Sequence, residues 1–521
     1  MNKIIYILLF IMSIGAVGCT STFEDTNANP YGITDADLAK DYYNVGGYFS
    51  QLQNYIYNVT ANLQVEQNLV GDAFAQYMVP PTPFQSNVNN VTYKFVWYSQ
   101  LWTTDYSNVM TVVHLLKSKG YDKTYPNFWA WATVLKIFSM QQVVDNYGPM
   151  IYSNYGSSST TIPYDAPKSV YYSFFAELDT AVSTLSNYTS STSFSKFDKA
   201  YNGDVKSWIK AANSLRLRLA MRIVKVDPTK AQAEAEKAVS NSYGLIDSNS
   251  YNFNVDLNGA KHPLWYFSSS WDDCRMCATV GSILGGYSDP RLPLYFGTAT
   301  DASVSGQYIG IRQGIDITSK STYVGFSPVG STFTGATSVQ IMTAAEVAFL
   351  RAEGALRGWN MGGTAQYFYN LGINLSLSQY GVSSSYSAYA NDSTSTFANY
   401  IDPHNATNSF AKSSTITIKW NESATKEQKL ERIMTQKWIA MFPNGQEAWA
   451  EFRRTGYPKL IPVVVNYSGG TISTSDFVRR VPYPDSEYTG NAAGVAGGVT
   501  LLGGKDNGGT RVWWDTTGSN F

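Results

Sequence analysis

Glu447, Glu451, Arg453 and Arg454 place two carboxylates and two guanidinium groups within eight residues. On a helix, Glu447 and Glu451 share a face with Arg454, and groups three or four positions apart pair with one another. The spacing fits an ion-pair network holding a helical hairpin better than an acid and a base working on a substrate. Glu346, Arg351 and Glu353 read the same way, because Glu346 stands three residues after Thr343 in a capping box. Any two carboxylates could face each other as a glycosidase pair, and no local motif singles such a pair out. The chain has no His-Glu-x-x-His helix and no Gly-x-Ser-x-Gly elbow, and the Gly-rich stretch from Gly494 to Gly509 lacks a Gly-Lys-Ser/Thr ending. These residues predict no enzyme.

Metal and redox chemistry are equally thin. Cys274 and Cys277 form a Cys-Arg-Met-Cys spacing between Trp271 and a Gly-rich stretch. A zinc site needs two further soft ligands, and the histidines on offer are His114, His262 and His404. The pair reads as incidental thiols or a local disulfide. Asp272, Asp273 and Asp289 could lend oxygens to calcium, but they lack an EF-hand spacing and read as loop acids. No cofactor and no metal are expected.

What the loops do carry is the chemistry of sugar recognition. A pyranose offers a flat C–H face and a rim of hydroxyls, so it calls for an exposed aromatic ring beside amide, carboxylate or guanidinium groups. Tyr and Trp supply a large rigid area at low entropic cost. Trp265, Tyr266, Trp271, Asp272 and Asp273 meet that requirement, and so do Phe84, Asn87, Asn89 and Asn90. Tyr308, Arg312 and Tyr323 form a third group. Trp97, Trp129 and Trp208 sit in helical patterns and read as core.

These candidates belong to a chain of neutral balance, with 38 Lys plus Arg against 39 Asp plus Glu, which argues against a nucleic-acid partner. Charged residues make up 15% and aromatic residues another 15%, including 38 Tyr and 13 Trp, a composition suited to neutral polar ligands. Ile4 to Val17 is an apolar run after Asn2 and Lys3, too short for a bilayer span of about 20 residues and suited to a signal peptide. Ala16 and Gly18 lead into Cys19 as in a bacterial lipobox, with Ala16 where leucine is usual. The expectation is a signal peptide over 1–18, lipidation at Cys19, a polar tether over 19–33 and a binding domain over 34–521. Acyl chains anchor firmly because each buried methylene adds about 0.8 kcal/mol.

Helices must supply the scaffold. Thr34 can cap a helix on which Leu38, Tyr42, Val45, Phe49, Leu52 and Ile56 recur every three to four positions. Further helices are predicted from Leu63 to Met78, Trp97 to Lys117, Asn127 to Asn146 and Lys168 to Leu185. Between Asp204 and Ser240, Asp227-Pro228 ends one helix and starts the next, as N-cap and first helical residue. Small residues at Ala231, Ala235 and Ala238 let the two pack as a tetratricopeptide-like hairpin. Similar pairs run from Thr343 to Arg357 with Ala365 to Gln379, and from Thr425 to Met441 with Gln446 to Arg454. The fold class expected is mostly α, a single domain of such hairpins. Long irregular segments, Tyr251 to Ser338, Val382 to Thr417 and Val464 to Phe521, pack against them as the working surface.

Several stretches carry a resemblance to a known family. They are Phe23 to Gly32 (Phe-Glu-Asp-Thr-Asn-Ala-Asn-Pro-Tyr-Gly), Pro81 to Phe84 (Pro-Thr-Pro-Phe) and Ala345 to Gly354 (Ala-Glu-Val-Ala-Phe-Leu-Arg-Ala-Glu-Gly). Gln436 to Phe442, Glu447 to Pro458, Arg479 to Pro484 and Thr510 to Asp515 follow in order. The chain resembles the SusD/RagB nutrient-binding outer-membrane lipoproteins. The resemblance implies a surface-exposed lipoprotein of the outer membrane, bound to it through the lipid anchor only. It also implies a partner, a SusC-like TonB-dependent transporter, and ligands that are mostly oligosaccharides, with peptides in some members. It assigns no ligand residue, because the matching stretches look like scaffold. The function expected is binding of a nutrient, an oligosaccharide or a peptide, without chemistry.

Overall fold

The computed structural model describes residues 33–521. The expected signal peptide, Cys19 and nearly all of the tether lie outside the described residues. The chain divides into two units, Met1–Gly47 and Tyr48–Phe521.

In the first unit Thr34 starts the helix Asp35–Lys40, accepting from the Asp37 amide while the Asp37 carboxylate accepts from the Thr34 amide. The periodicity predicts one helix from here to Ile56. Instead Tyr42 takes a left-handed φ of 63°, and a separate short helix, Tyr43–Gly46, follows.

The second unit is built from helical pairs. The helices that build this frame are α1 (Phe49–Ile56), α2 (Pro126–Tyr147), α3 (Pro167–Ser186), α4 (Val205–Arg222), α5 (Pro228–Val239), α6 (Ala344–Leu356), α7 (Ala365–Gln379), α8 (Lys426–Met441) and α9 (Gly445–Thr455), with shorter helices between and after them. Their starts follow local chemistry. Asp204 caps α4, Asp227 caps α5 with Pro228 in its first turn, Thr343 caps α6, and Thr425 with Gln428 forms a capping box on α8. Each cap satisfies backbone donors that the first helical turn leaves open. Successive helices then pack in sequence: α2 on α3, α3 on α4, α4 on α5, α6 on α7, and α6 on α8. Ala231, Ala235 and Ala238 are fully buried where α5 meets α4. At Gly372 of α7 a side chain is impossible without disruption, since a Cβ would stand 2.7 Å from the Phe349 ring of α6. Aromatic rings fill the core, with Trp131 stacked between Phe49 at 4.0 Å and Phe194 at 4.4 Å.

The charged residues of α9 are interior. Arg454 makes two bonds to Glu353, of 2.7 and 2.6 Å, and two to Glu451, of 3.2 and 2.6 Å. Lys437 lies 3.1 Å from Glu451, Arg222 pairs with Glu447, and Arg218 takes both oxygens of Glu346 at 2.7 and 2.8 Å. Burial pushes the Glu451 carboxyl up, but Arg454, Lys437 and Arg222 outweigh it and hold it well below the usual carboxylate range. The network ties α4, α6, α8 and α9 together, as the spacing of α9 predicts, with partners that spacing does not reveal.

Two small antiparallel ladders lie among the helices: β1 (Met78–Val79) pairs with β3 (Arg275–Met276), and β2 (Phe253–Asp256) pairs with β4 (Ser338–Met342). The first corrects an expectation. A helix predicted from Leu63 to Met78 is a wide π-helical segment, Gln64–Asp72, and Met78 is in a strand. Gln76 turns at φ 58°, and the Tyr77 carbonyl then accepts from the Cys277 amide at 3.0 Å, so sheet pairing takes over. In the Gly-rich C-terminal stretch, expected to be irregular, Ala492–Leu502 forms a helix. Cys274 and Cys277 are free buried thiols, which burial pushes up to about 12 and about 11 respectively.

Candidate functional site

The β1–β3 ladder assembles the candidate site. Val79 stands opposite Arg275, so the antiparallel register carries Pro81 and Thr82 alongside Asp272 and Asp273. The Thr82 hydroxyl donates to the Asp273 carboxylate, and Lys320 donates to that carboxylate at 2.8 Å and to the Trp271 carbonyl at 2.6 Å. Three loops that are remote in sequence therefore meet on one acid.

Trp265–Ser270 is a π-helical turn, closed by the Trp271 amide donating to the Tyr266 carbonyl at 2.9 Å. That turn gathers its rings: Trp265 meets Tyr266 edge-on at 5.2 Å, and Tyr266 and Trp271 are 5.9 Å apart. Trp271 is 40% exposed, the one tryptophan in the exposed class among the described residues. Trp265 and Tyr266 are half-buried, and the Lys261 ammonium lies 5.1 Å from the Trp265 ring. Asp272, exposed and at φ 54°, pairs with Arg275 at 2.8 Å. These acids serve their own loops: with Asp289 buried against Arg291 at 2.6 Å, the three aspartates are spent on three separate cations.

Phe84 is half-buried and meets Trp97 edge-on at 5.6 Å. Trp97 corrects the reading of it as helical core, because the helix Gln100–Asp105 starts after it and its ring is half-exposed. Trp129 is also half-exposed, whereas Trp208 is fully buried. Asn89 and Asn90, expected to meet a ligand, are buried and bound to backbone. Asn89 donates to the Phe84 carbonyl at 2.8 Å and accepts from the Val91 amide. Asn90 donates to the Trp97 carbonyl at 2.7 Å and accepts from the Val96 and Trp97 amides. Both side chains hold the backbone of the segments that carry Phe84 and Trp97. Asn87 likewise donates to the Ile315 carbonyl at 2.9 Å. Gln85, Ser86 and Asn87 all take left-handed φ, between 53° and 66°. Such backbone costs energy in non-glycine residues and gathers at working sites.

The third expected group does not join the first two. Tyr308 is half-buried, on the chain that runs beside β3 through the Cys277–Ile311 bridge. Arg312 is a clamp: it donates to the carbonyls of Asn408, Ser409 and Pro462 at 3.2, 3.2 and 2.9 Å, beneath which the Phe410 ring lies 5.6 Å away. Tyr323 is buried, its hydroxyl bonded to Asp402 at 2.9 Å. Three of the five Arg312 donors are spent on carbonyls, and its buried Nε has no partner among the described residues. Sequence reading missed Lys320 and Thr82, and no local pattern marks either one.

The fold defines a class, helical proteins of tetratricopeptide-like hairpins with long loop segments packed against them. Residues 25–515 match the model of the SusD-like family, described as Susd and RagB outer membrane lipoprotein; the chain belongs to that family. No curated protein matches it by sequence. Among solved structures, a chitin-binding SusD homolog from Flavobacterium johnsoniae is 46% identical, with a TM-score of 0.89 over 92% of this chain and 100% of that one. A SusD homolog from Bacteroides uniformis is 36% identical, with a TM-score of 0.84 over 91% and 99% of the two chains. A SusD-like protein from Bacteroides thetaiotaomicron is 32% identical, with a TM-score of 0.85 over 90% and 98%.

Proposed function

We propose that the protein binds a neutral oligosaccharide at the cell surface, does no chemistry on it, and hands it to a SusC-like TonB-dependent transporter of the outer membrane. The carrying observation is the exposed Trp271 beside Trp265 and Tyr266, its carbonyl held by Lys320. A flat, fixed, partly wet indole suits the C–H face of a pyranose. Phe84 and Trp97, linked to it through Thr82 and Asp273, extend the aromatic surface. The likeness to a chitin-binding homolog makes oligomers of N-acetylglucosamine the first ligand to try. A non-catalytic role is supported by the acids themselves: Glu346, Glu353, Glu447 and Glu451 are bound into the buried cation network. In this reading residues 1–18 are removed, Cys19 carries the lipid, 19–33 tether the protein, and 34–521 bind.

The test is calorimetry of the mature chain from Cys19, without lipid, against neutral oligosaccharides and peptides. Binding of one glycan class, weakened about tenfold or more by Trp271→Ala, is expected, since a tryptophan anchor in an interface is worth about 2 kcal/mol or more. Peptide binding with no glycan binding would replace the sugar reading. Glycan binding that Trp271→Ala leaves unchanged would move the site elsewhere.

A further inference from the structure

We propose that a second cleft, between the helix Gln100–Asp105 with its π-helical continuation Tyr106–Met110 and the loop 151–157, is a subsite for another part of the same neutral glycan; this rests on the reading above. The cleft measures about 400 Å³, within the range of about 300–1,000 Å³ usual for small-ligand sites. Tyr155 is its accessible aromatic ring and lies near-parallel to Tyr106 at 5.6 Å; Tyr106 and Trp102, the latter near-parallel to Tyr164 at 5.7 Å, line the cleft as buried rings. Tyr155 is half-buried, with its hydroxyl 2.7 Å from that of Thr111. The next residue, Gly156, has φ 82°, and a Cβ there would meet the His114 ring at 2.2 Å, so the loop that presents Tyr155 is seated closely on the helix beneath it.

The polar groups choose the ligand. Thr103, Ser107 and Ser486 stand exposed at the rim, and among the described residues their hydroxyls bond to no protein atom. The one carboxylate in the lining, Glu487, is occupied on both oxygens, by the Trp102 indole N–H at 3.2 Å and the Tyr164 hydroxyl at 2.6 Å. With the Tyr155 ring, free hydroxyls and one carboxylate whose oxygens are both taken by neutral donors, the cleft matches a neutral polyol and mismatches a phosphate, which that carboxylate would repel. A hydrogen bond ties it to the first site. Tyr98, the neighbour of Trp97, donates its hydroxyl to Asp485 at 2.8 Å, at the start of the helix Asp485–Gly490 that contributes Ser486 and Glu487. Trp97 stands three residues before the helix that carries Thr103, and at no more than about 3.5 Å per residue the chain separates the two by roughly 20 Å at most. One extended oligosaccharide can span both.

The experiment is calorimetry of the mature chain with N-acetylglucosamine oligomers of increasing length, comparing wild type, Ser107→Trp and Tyr155→Ala. Ser107 is exposed, so an indole there fills the cleft without entering the core. The expected result is a wild-type affinity that rises with length, a rise that both variants lose by about tenfold for long oligomers, and unchanged affinity for the shortest. Wild-type affinity that rises with length and is matched by both variants at every length would overturn the subsite alone. A wild type that binds none of the oligomers would overturn the glycan reading and the subsite with it.

Discussion

The Lys320 ammonium donates to the carbonyl of Trp271 at 2.6 Å. The same ammonium reaches Asp273 at 2.8 Å, so one cation fixes both the backbone of the exposed indole and the acid that ties its loop to Thr82.

Replacing Lys320 by Met keeps the length of the side chain and removes the charge. The expected outcome is glycan affinity reduced about three- to tenfold with a melting temperature close to that of wild type, since a half-exposed ion pair adds about 1 kcal/mol or less to stability. Calorimetry paired with thermal melting checks it. Unchanged affinity would mean that the loop holds its shape without the lysine.

Asn90 works from beneath. Asn90→Ala leaves the Val96 and Trp97 amides without their acceptor, and an unsatisfied buried polar group costs about 1–3 kcal/mol. Stability should fall by that order in a urea titration, and ligand affinity should fall with it as Trp97 shifts against Phe84. A loss of affinity at full stability would make Asn90 a ligand contact after all.

The interior network predicts a large effect far from any ligand. Arg454→Met takes from Glu353 and Glu451 the cation they share, leaving Arg357 to the first and Lys437 with Arg222 to the second, and removing one partner of a buried pair costs up to about 3–5 kcal/mol. Chemical denaturation is the measure, and a change below about 1 kcal/mol would show that the remaining cations compensate.

Stability should also depend on acidity, through a buried pair of acids. Burial raises Glu66 to about 7 from 4.5, and burial together with the Glu66 charge pushes Asp105 well above the usual carboxylate range. Each holds its proton more tightly folded than unfolded, so the native state carries more protons between pH 4.5 and about 7. Stability is therefore greatest at the acid end of that window and is lost as pH rises through it. Thermal melts from pH 4.5 to 7 should show the decline, and Glu66→Gln, which keeps a partner for the Asn58 amide, should flatten it. Identical profiles for the two proteins would remove Glu66 as the cause.

The helical hairpins are legible in the sequence because their causes are local. Caps such as Asp227 with Pro228, or Thr425 with Gln428, and apolar residues every three to four positions act within a few residues of where they stand. The aromatic loop of Trp265, Tyr266 and Trp271 is legible too, since one π-helical turn gathers all three. The roles of polar side chains were decided only by the tertiary structure. Whether Asn89, Asn90 or Arg312 faces a ligand or a carbonyl depends on what long-range packing sets beside it, and here that neighbour is backbone. The same holds for Trp97, freed from the helix to meet Phe84, and for Lys320, which finds its partners 47 and 49 residues away. The strands Met78–Val79 and Arg275–Met276 are too short to carry a period and exist only because they pair. A site assembled on such a ladder is invisible until the chain closes on itself.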